Sequence, residues 1–531
     1  MYLYYINNSN FFFANFKGDF YLDNLENDKL NIATKIKLGS TQVKNIVNIG
    51  NVEEDNKITK VLTVSAKPII ENISVNNASV KFDGVVDYDL LVVLENNEIK
   101  PLTQKTNFSQ VFEDTKINIE SIINIYTDLL ELNNVSSTNG ISYSAVINFD
   151  IYLVEKNLDV NCAKPIENVF VKEGEISFNS FVNNVVYDST VNFELAKDSK
   201  VNQILFTNNY ASIKSVIPSN DYFVVSGEVY SSITFQSEDG LIKSTNKTTT
   251  FSEEIECVGV NKDSIIQAQI KTKESTVLEN TEKGIFSFDV PIQILAQIYN
   301  KTTVKCVVDA YSLQNEVNLI TKSYEEDDFV SSKQIEENIL TNFAIAENIP
   351  LVDKILSVMP INISVVNQII KDKELLIEGI AVINIIYYFE DEEGNNILNS
   401  LDVEVPYSIN LNIPELSASD KIILNVVLGD INIKNKRSKE LEILAEVKIN
   451  YDIIKNNISA ITTDINLGEE KPIKDYALEI YLAKEGQTLW DIAKELNIST
   501  TDLVNQNSDL TLPISNGEKI VAYKQRIVDF E

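Results

Sequence analysis

The 531-residue chain has no histidine, three cysteines, one tryptophan and two arginines, Arg437 and Arg526. Without histidine there is no Ser-His-Asp or Cys-His triad and no His-ligated zinc. Cys162, Cys257 and Cys306 are too widely spaced for a CxxC pair, a zinc knuckle or a disulfide framework. They read as buried thiols in a reducing compartment. Positive charge is also scarce. The 45 basic residues face 78 acidic ones, a formal charge of −33. Such a field repels nucleic acid and anionic lipid, leaving protein or neutral sugar as partners. No Walker A sequence occurs, so the chain is not itself a P-loop ATPase. No apolar run reaches the ~18 residues of a membrane span, so no direct membrane insertion is expected. Met1–Asn8 lacks a positive n-region, and Phe11-Phe12-Phe13 is too short for a signal-peptide core. The expectation is a chain retained in the cytoplasm, with no metal site, no cofactor and no catalytic residue singled out.

What the chain does contain is a threefold internal repeat. Lys60-Val61-Leu62, Gln203-Ile204-Leu205 and Lys354-Ile355-Leu356 are each followed by an apolar strand with one glycine, Gly84, Gly227 or Gly379. The offsets from the leucines are 22, 22 and 23 residues. Phe108-Ser109, Phe251-Ser252 and Tyr407-Ser408 then follow the glycines at 24, 24 and 28. Each copy ends in strict alternation: Ile141 to Leu153 on odd positions, Phe286 to Ile298 on even ones, and Leu441 to Ile453 on odd ones. Side chains of a strand alternate between faces, so each run has one buried and one wet face, as in antiparallel sheet.

Local signals fill in the units. Asn139-Gly140 marks a hairpin turn. Pro291 places its strand at an edge or on a bulge. Glu390–Asn396 lacks the DxDxDG spacing of a calcium loop and reads as a hairpin tip. Tyr324–Asp328 reads as a solvated acidic loop or surface handle, and Lys434–Lys439 as a turn between strands. A helix is expected around Ile119–Leu130. Cys162 and Cys306 close the first two units at matching positions, as small buried hydrophobes.

After Gly468-Glu469-Glu470-Lys471-Pro472 the period changes from two to helical. A short strand ends at Gly486. Thr488 and Asp491 form a capping-box pair. Leu489, Ile492, Ala493 and Leu496 share one apolar helix face. Ser499 and Asp502 repeat the cap for a second helix, Pro513 ends it, and Gly517 turns the chain into a last strand, Lys519–Tyr523.

This βααβ segment, with its GxTLWxIA core, resembles the LysM domain. The resemblance implies a shallow groove for N-acetylglucosamine polymers such as peptidoglycan. Its lips would be Gly486, Gln487, Thr488 and Leu489 on one side and Asn507, Ser508, Leu512, Pro513 and Ile514 on the other. The family prefers an acid where Gln487 stands and often closes with Ile-Pro where this chain has Ala522-Tyr523. Trp490 and Ile492 join the candidate contacts, Trp490 either packing on its own helices or anchoring a partner.

Val64–Ile69, Asn161–Glu167, the Lys-Ile-Leu starts and the strand ending Ile386-Tyr387-Tyr388 resemble SPOCS domains of endospore-forming bacteria. SPOCS domains followed by LysM resemble a clostridial family of spore-coat morphogenetic proteins. That resemblance implies action in the mother-cell cytoplasm at the forespore surface. It also implies binding of the coat-basement ATPase (stage IV sporulation protein A) through the LysM domain, and contact with other coat proteins.

The sequence thus yields a mainly β chain: three antiparallel sandwich-like repeat domains (1–160, 161–305, 306–470) and a small α+β LysM domain (476–524). Three functions compete: a structural adaptor, a peptidoglycan-binding envelope protein, and an enzyme. A two-carboxylate glycosidase needs only acids, but nothing in the sequence singles out a pair.

Overall fold

The structure is a computed structural model and describes residues 30–49, 57–137, 140–160, 162–196, 201–437, 439–472 and 478–523. Met1–Asn8, Phe11–Phe13, Asn139, Asn161 and Arg526 lie outside them.

The first unit comprises β1 (Leu30–Ile49), β2 (Ile58–Asn76), β3 (Ser79–Leu94), β4 (Ile99–Glu113), β5 (Ile122–Ser137) and β6 (Gly140–Val160). They form two antiparallel sheets, β1-β6-β5 and β2-β3-β4. Their inner faces meet in one core that includes Phe82, Tyr88, Ile147 and Phe149. The even-spaced apolar residues of β6 all point into it, as the alternation requires.

The plan recurs twice. The second unit comprises β7 (Phe170–Ala196), β8 (Gln203–Pro218), β9 (Tyr222–Gln236), β10 (Ile242–Glu256), β11 (Ile265–Thr272), β12 (Thr276–Asn280) and β13 (Ile285–Tyr311). The third comprises β14 (Asn315–Ala344), β15 (Lys354–Lys371), β16 (Glu374–Glu390), β17 (Asn396–Asn412), β18 (Lys421–Arg437) and β19 (Glu440–Glu470). Each has its own sandwich core. Residue 306, the expected start of the third unit, lies within β13, whose pairing with β7 runs on to Tyr311.

The repeated glycine has a steric cause. Gly84, Gly227 and Gly379 pair across the sheet with Phe108, Phe251 and Tyr407. A Cβ at any of them would collide with a backbone carbonyl of the neighbouring strand and with that aromatic ring. The ring lies over the bare backbone and continues into the core; Phe108 reaches Phe149 of the facing sheet at 5.2 Å.

The repeated leucine has a different role. Leu62, Leu205 and Leu356 converge, with Leu91, Met359 and Ile386, in one cluster shared by all three units. The units therefore pack around a common axis. Buried amides tie them: Asn384 Nδ2 donates to Leu62 O at 3.0 Å, and Asn208 Nδ2 to Pro360 O at 2.6 Å.

A second, polar junction joins the long first strands. Each of β1, β7 and β14 has a register shift, at Leu38, Val182 and Val330. Three residues before each stands Lys35, Asn179 or Asp327, which are 3%, 4% and 2% exposed. The Lys35 backbone N–H donates to Asp327 Oδ2 at 2.6 Å, and Asn179 Nδ2 to Asp327 O at 2.9 Å.

Several local expectations are corrected. Ile119–Leu130 is not helical. Ile123 and Ile125 alternate into the core from β5, and the β-branched run pairs with β6 along its length. Pro291 sits in the central strand without a bulge. It pairs with Thr190 of β7 on one side; on the other, Lys273 N–H donates to its carbonyl at 2.9 Å in the gap between β11 and β12. The missing proline N–H faces the place where the neighbouring strand is broken. Tyr324–Asp328 is no solvated loop but part of β14, with Tyr324 and Asp327 buried. Nor are the cysteines three separate thiols. Cys162 and Cys306 form a disulfide with a Cα–Cα distance of 5.4 Å. The linker after β6 runs back beside β13, a contact 144 residues apart in sequence. Cys257 alone is a buried thiol. The Glu390–Asn396 segment connects β16 to β17, as read. Lys434–Arg437 is not a turn: these residues belong to β18 and pair with Glu440–Glu442 of β19.

Candidate functional site

The C-terminal segment folds as β20 (Leu478–Leu482), α1 (Leu489–Leu496), α2 (Thr500–Gln506) and β21 (Lys519–Tyr523), with the two strands antiparallel. The α1 terminus is fixed by a full capping box. Thr488 Oγ1 accepts from Asp491 N–H, and Asp491 Oδ2 accepts from Thr488 N–H at 2.8 Å. These bonds hold the Asp491 carboxyl below the usual carboxylate range. Asn497 ends α1 in the left-handed region at φ 57°. Ser499 caps α2 by accepting from Asp502 N–H at 2.9 Å.

The sequence-derived lips differ in what they are free to do. Gly486 and Thr488 are exposed, and Gly486 takes φ +80° in open space. Gln487 is engaged: its Oε1 accepts from Lys484 N–H at 2.9 Å, and its Nε2 donates to Tyr481 and Glu495. It thereby braces the first loop against α1. Leu489 is half-buried. On the other side Ser508, Leu512 and Pro513 are exposed, Leu512 by 70%. Ile514 is half-buried against the domain core. Asn507 works within the fold. Its side chain donates to Leu503 O and Val521 O and accepts from Val521 N–H, stapling α2 to β21. Ile492 is fully buried, so it supports the domain and does not line a groove.

Trp490 is neither wholly internal nor free. It packs with the domain's core, and its ring meets Tyr311, at the end of β13, edge-on at 4.9 Å. Its Nε1 donates to Asp309 Oδ2 at 2.7 Å, while Lys494 Nζ binds Asp309 Oδ1 at 2.6 Å. Burial would raise the Asp309 carboxyl, but these two donors outweigh it and hold it low. Tyr311 is itself part of the small domain's core, and its hydroxyl donates to Ile498 O at 2.9 Å. Burial pushes that hydroxyl up to about 12. Asn497 Nδ2 adds a bond to Leu313 O at 2.8 Å. Sequence reasoning missed Asp309 and Tyr311, which lie about 180 residues upstream of α1 in an unremarkable strand end.

The exposed lips can offer backbone groups, a hydroxyl and an apolar edge to an elongated ligand. Among the described residues, no group of three or more His, Cys, Asp or Glu could hold a metal ion. No curated protein and no solved structure matches the chain. Residues 481–514 match the LysM domain family. The chain carries a LysM domain, seated through α1 on the end of its second β unit.

Proposed function

We propose that this chain is a non-enzymatic adaptor of spore-envelope assembly. In this reading the LysM domain binds the coat-basement ATPase (stage IV sporulation protein A) in the mother-cell cytoplasm at the forespore surface, and the three β units form the framework that presents it. Two things support the proposal. One is the resemblance of the repeats to SPOCS domains and of the whole order to the clostridial spore-coat protein SipL. The other, which carries it, is the seating of α1 on Asp309 and Tyr311: a head held on the β body with its loop lips left open. A pull-down of the purified chain with the purified ATPase tests it. Retention that Leu512→Asp weakens at least tenfold supports the reading, and no retention overturns it.

A second reading rests on the family match. LysM domains bind glycan polymers such as peptidoglycan or chitin, and the family resemblance implies a groove between Gly486–Leu489 on one side and Asn507, Ser508, Leu512, Pro513 and Ile514 on the other. Retention on insoluble peptidoglycan, lost on changing the Gly486–Leu489 loop, would favour it over the adaptor.

A further inference from the structure

A cleft of about 330 Å³ lies between the second and third units, at the lower end of the ~300–1,000 Å³ range of small-molecule sites. Its walls are the outer faces of two sandwiches. Ile266, Ala268 and Ile270 of β11 pack into the core of the second unit, so alternation turns Gln267 and Gln269 out into the cleft. Opposite, Ile449, Tyr451 and Ile453 of β19 enter the third core, which turns Asn450 and Asp452 outward. Gln334, Asn450 and Asn425 pair across β14, β19 and β18 as one row of carboxamides. Ile213 and Val216 of β8 and Ile423 of β18 belong to the apolar part of the lining.

The charges of this cleft are matched, whereas two of its amides are not. Lys214 and Lys333 at the rim are paired with Glu228 and Glu415. Asp452 is the one carboxylate among the described lining residues, and it stands against the buried Lys35 ammonium, whose charged form it favours. Gln267 is 7% exposed. Its Oε1 accepts from Lys35 Nζ at 3.4 Å, which orients the amide, and its Nε2 has no hydrogen-bond partner. Gln334 Nε2, on the facing wall, is buried and unpartnered as well. Leaving a buried donor unpaired is costly, so both call for a ligand that accepts. A carboxylate accepts at about four sites, so Asp452 can hold Lys35 and still accept from a ligand hydroxyl. Among the described residues no aromatic ring lines the cleft, so it does not hold a flat ring by stacking.

We propose that this cleft binds a small neutral sugar. Each ring hydroxyl both donates and accepts, as each carboxamide does. The sugar accepts from Gln267 and Gln334 on opposite walls, donates to Asp452 and exchanges further bonds with Asn425. Its C–H face rests on Ile213, Val216 and Ile423. Asn450 sets the spacing of the walls, because its Nδ2 donates to Ser212 Oγ of the second unit at 3.3 Å. Other ligand classes fit less well. An anion would meet lysines that are already neutralised, in a chain of formal charge −33. A cation would compete with Lys35 for Asp452. The site lies in the β body, separate from the lips of the LysM domain.

Saturation-transfer NMR on the full chain, with glucose, galactose and mannose as probes, tests this. At least one hexose should bind saturably. Its 6-phosphate should bind at least tenfold more weakly, because Lys214 and Lys333 are already paired. Gln334→Leu should weaken the hexose at least fivefold with the melting temperature unchanged or higher, since it deletes an unpaired buried amide. Ser215→Trp fills the mouth of the cleft from an exposed position. It should block binding, and it decides the matter if Gln334→Leu lowers the melting temperature. Leu512→Asp, on the LysM lip, should leave hexose binding unchanged. The proposal is overturned if none of the three hexoses binds, or if the 6-phosphate binds as well as the hexose. Binding that survives Ser215→Trp, that survives Gln334→Leu in a folded chain, or that Leu512→Asp abolishes also overturns it.

Discussion

Trp490 of the LysM domain and Asp309 of the second β unit are joined by a 2.7 Å hydrogen bond from the indole Nε1 to Oδ2. The same carboxylate receives Lys494 on its other oxygen. One carboxylate thus ties two residues of α1 to the body, beside the contacts that Tyr311 and Asn497 make.

Asp309→Ala removes both bonds and leaves the half-buried indole N–H without its acceptor. The expected cost to docking is about 1–3 kcal/mol. Limited proteolysis should cut between residues 472 and 478 faster in the variant, while the LysM domain keeps its own circular dichroism. Unchanged proteolysis would show that the Tyr311 and Asn497 contacts hold the domain without Asp309.

Gly227→Ala tests the reason for the repeated glycine. The added methyl meets the Ser212 carbonyl and the Phe251 ring, and overpacking of this kind costs about 1–3 kcal/mol or more. Phe251→Ala in the same background should recover part of the loss by making room for the methyl. Denaturant unfolding reads both; additive losses would mean that the ring and the glycine are independent.

Leu205→Ala opens a cavity where the three units meet, not inside one sandwich. Such truncations cost about 2–5 kcal/mol. Calorimetry should show the three units losing their common transition. A variant that still melts as one body would contradict a shared core.

The pH dependence has a definite sign. Burial pushes the Lys35 ammonium from 10.5 down to about 8, with Asp452 and Asp327 pulling it back. The folded value lies below the unfolded one. Between pH 8 and 10.5 the unfolded chain holds a proton that the folded chain has shed, so stability rises with pH across that window. Below it the full cost applies, on the order of 3 kcal/mol. Half-buried Lys67 and Lys271 are lowered by desolvation as well and act in the same direction. Half-buried Tyr126, which bonds Lys35 Nζ, is raised by desolvation and reverses the trend above pH 10. The urea midpoint should climb from pH 8 to 9.5, and climb less in Lys35→Met. A flat wild-type profile would contradict the assignment.

How much of this was legible depended on sequence distance. The LysM elements were readable because caps, helix faces and turns are local: Thr488 with Asp491, Ser499 with Asp502, Gly517 before β21. The sandwiches were readable because alternation over Ile141–Leu153 and its two counterparts has one physical meaning. The false helix near Ile122 came from a short apolar run whose period is ambiguous until β6 pairs with it. Asp327 read as solvated because its partners, Lys35 and Lys421, are distant in sequence. The Cys162–Cys306 pair and the Asp309–Trp490 contact were hidden for the same reason. The leucine repeat was visible, but not that its three copies share a single axis.

The most direct measurement is the affinity of the purified chain for the purified coat-basement ATPase, with and without residues 478–523. Loss of at least a hundredfold in affinity, with the β body still folded, is the predicted result. Undiminished binding by the chain without its LysM domain would contradict the account.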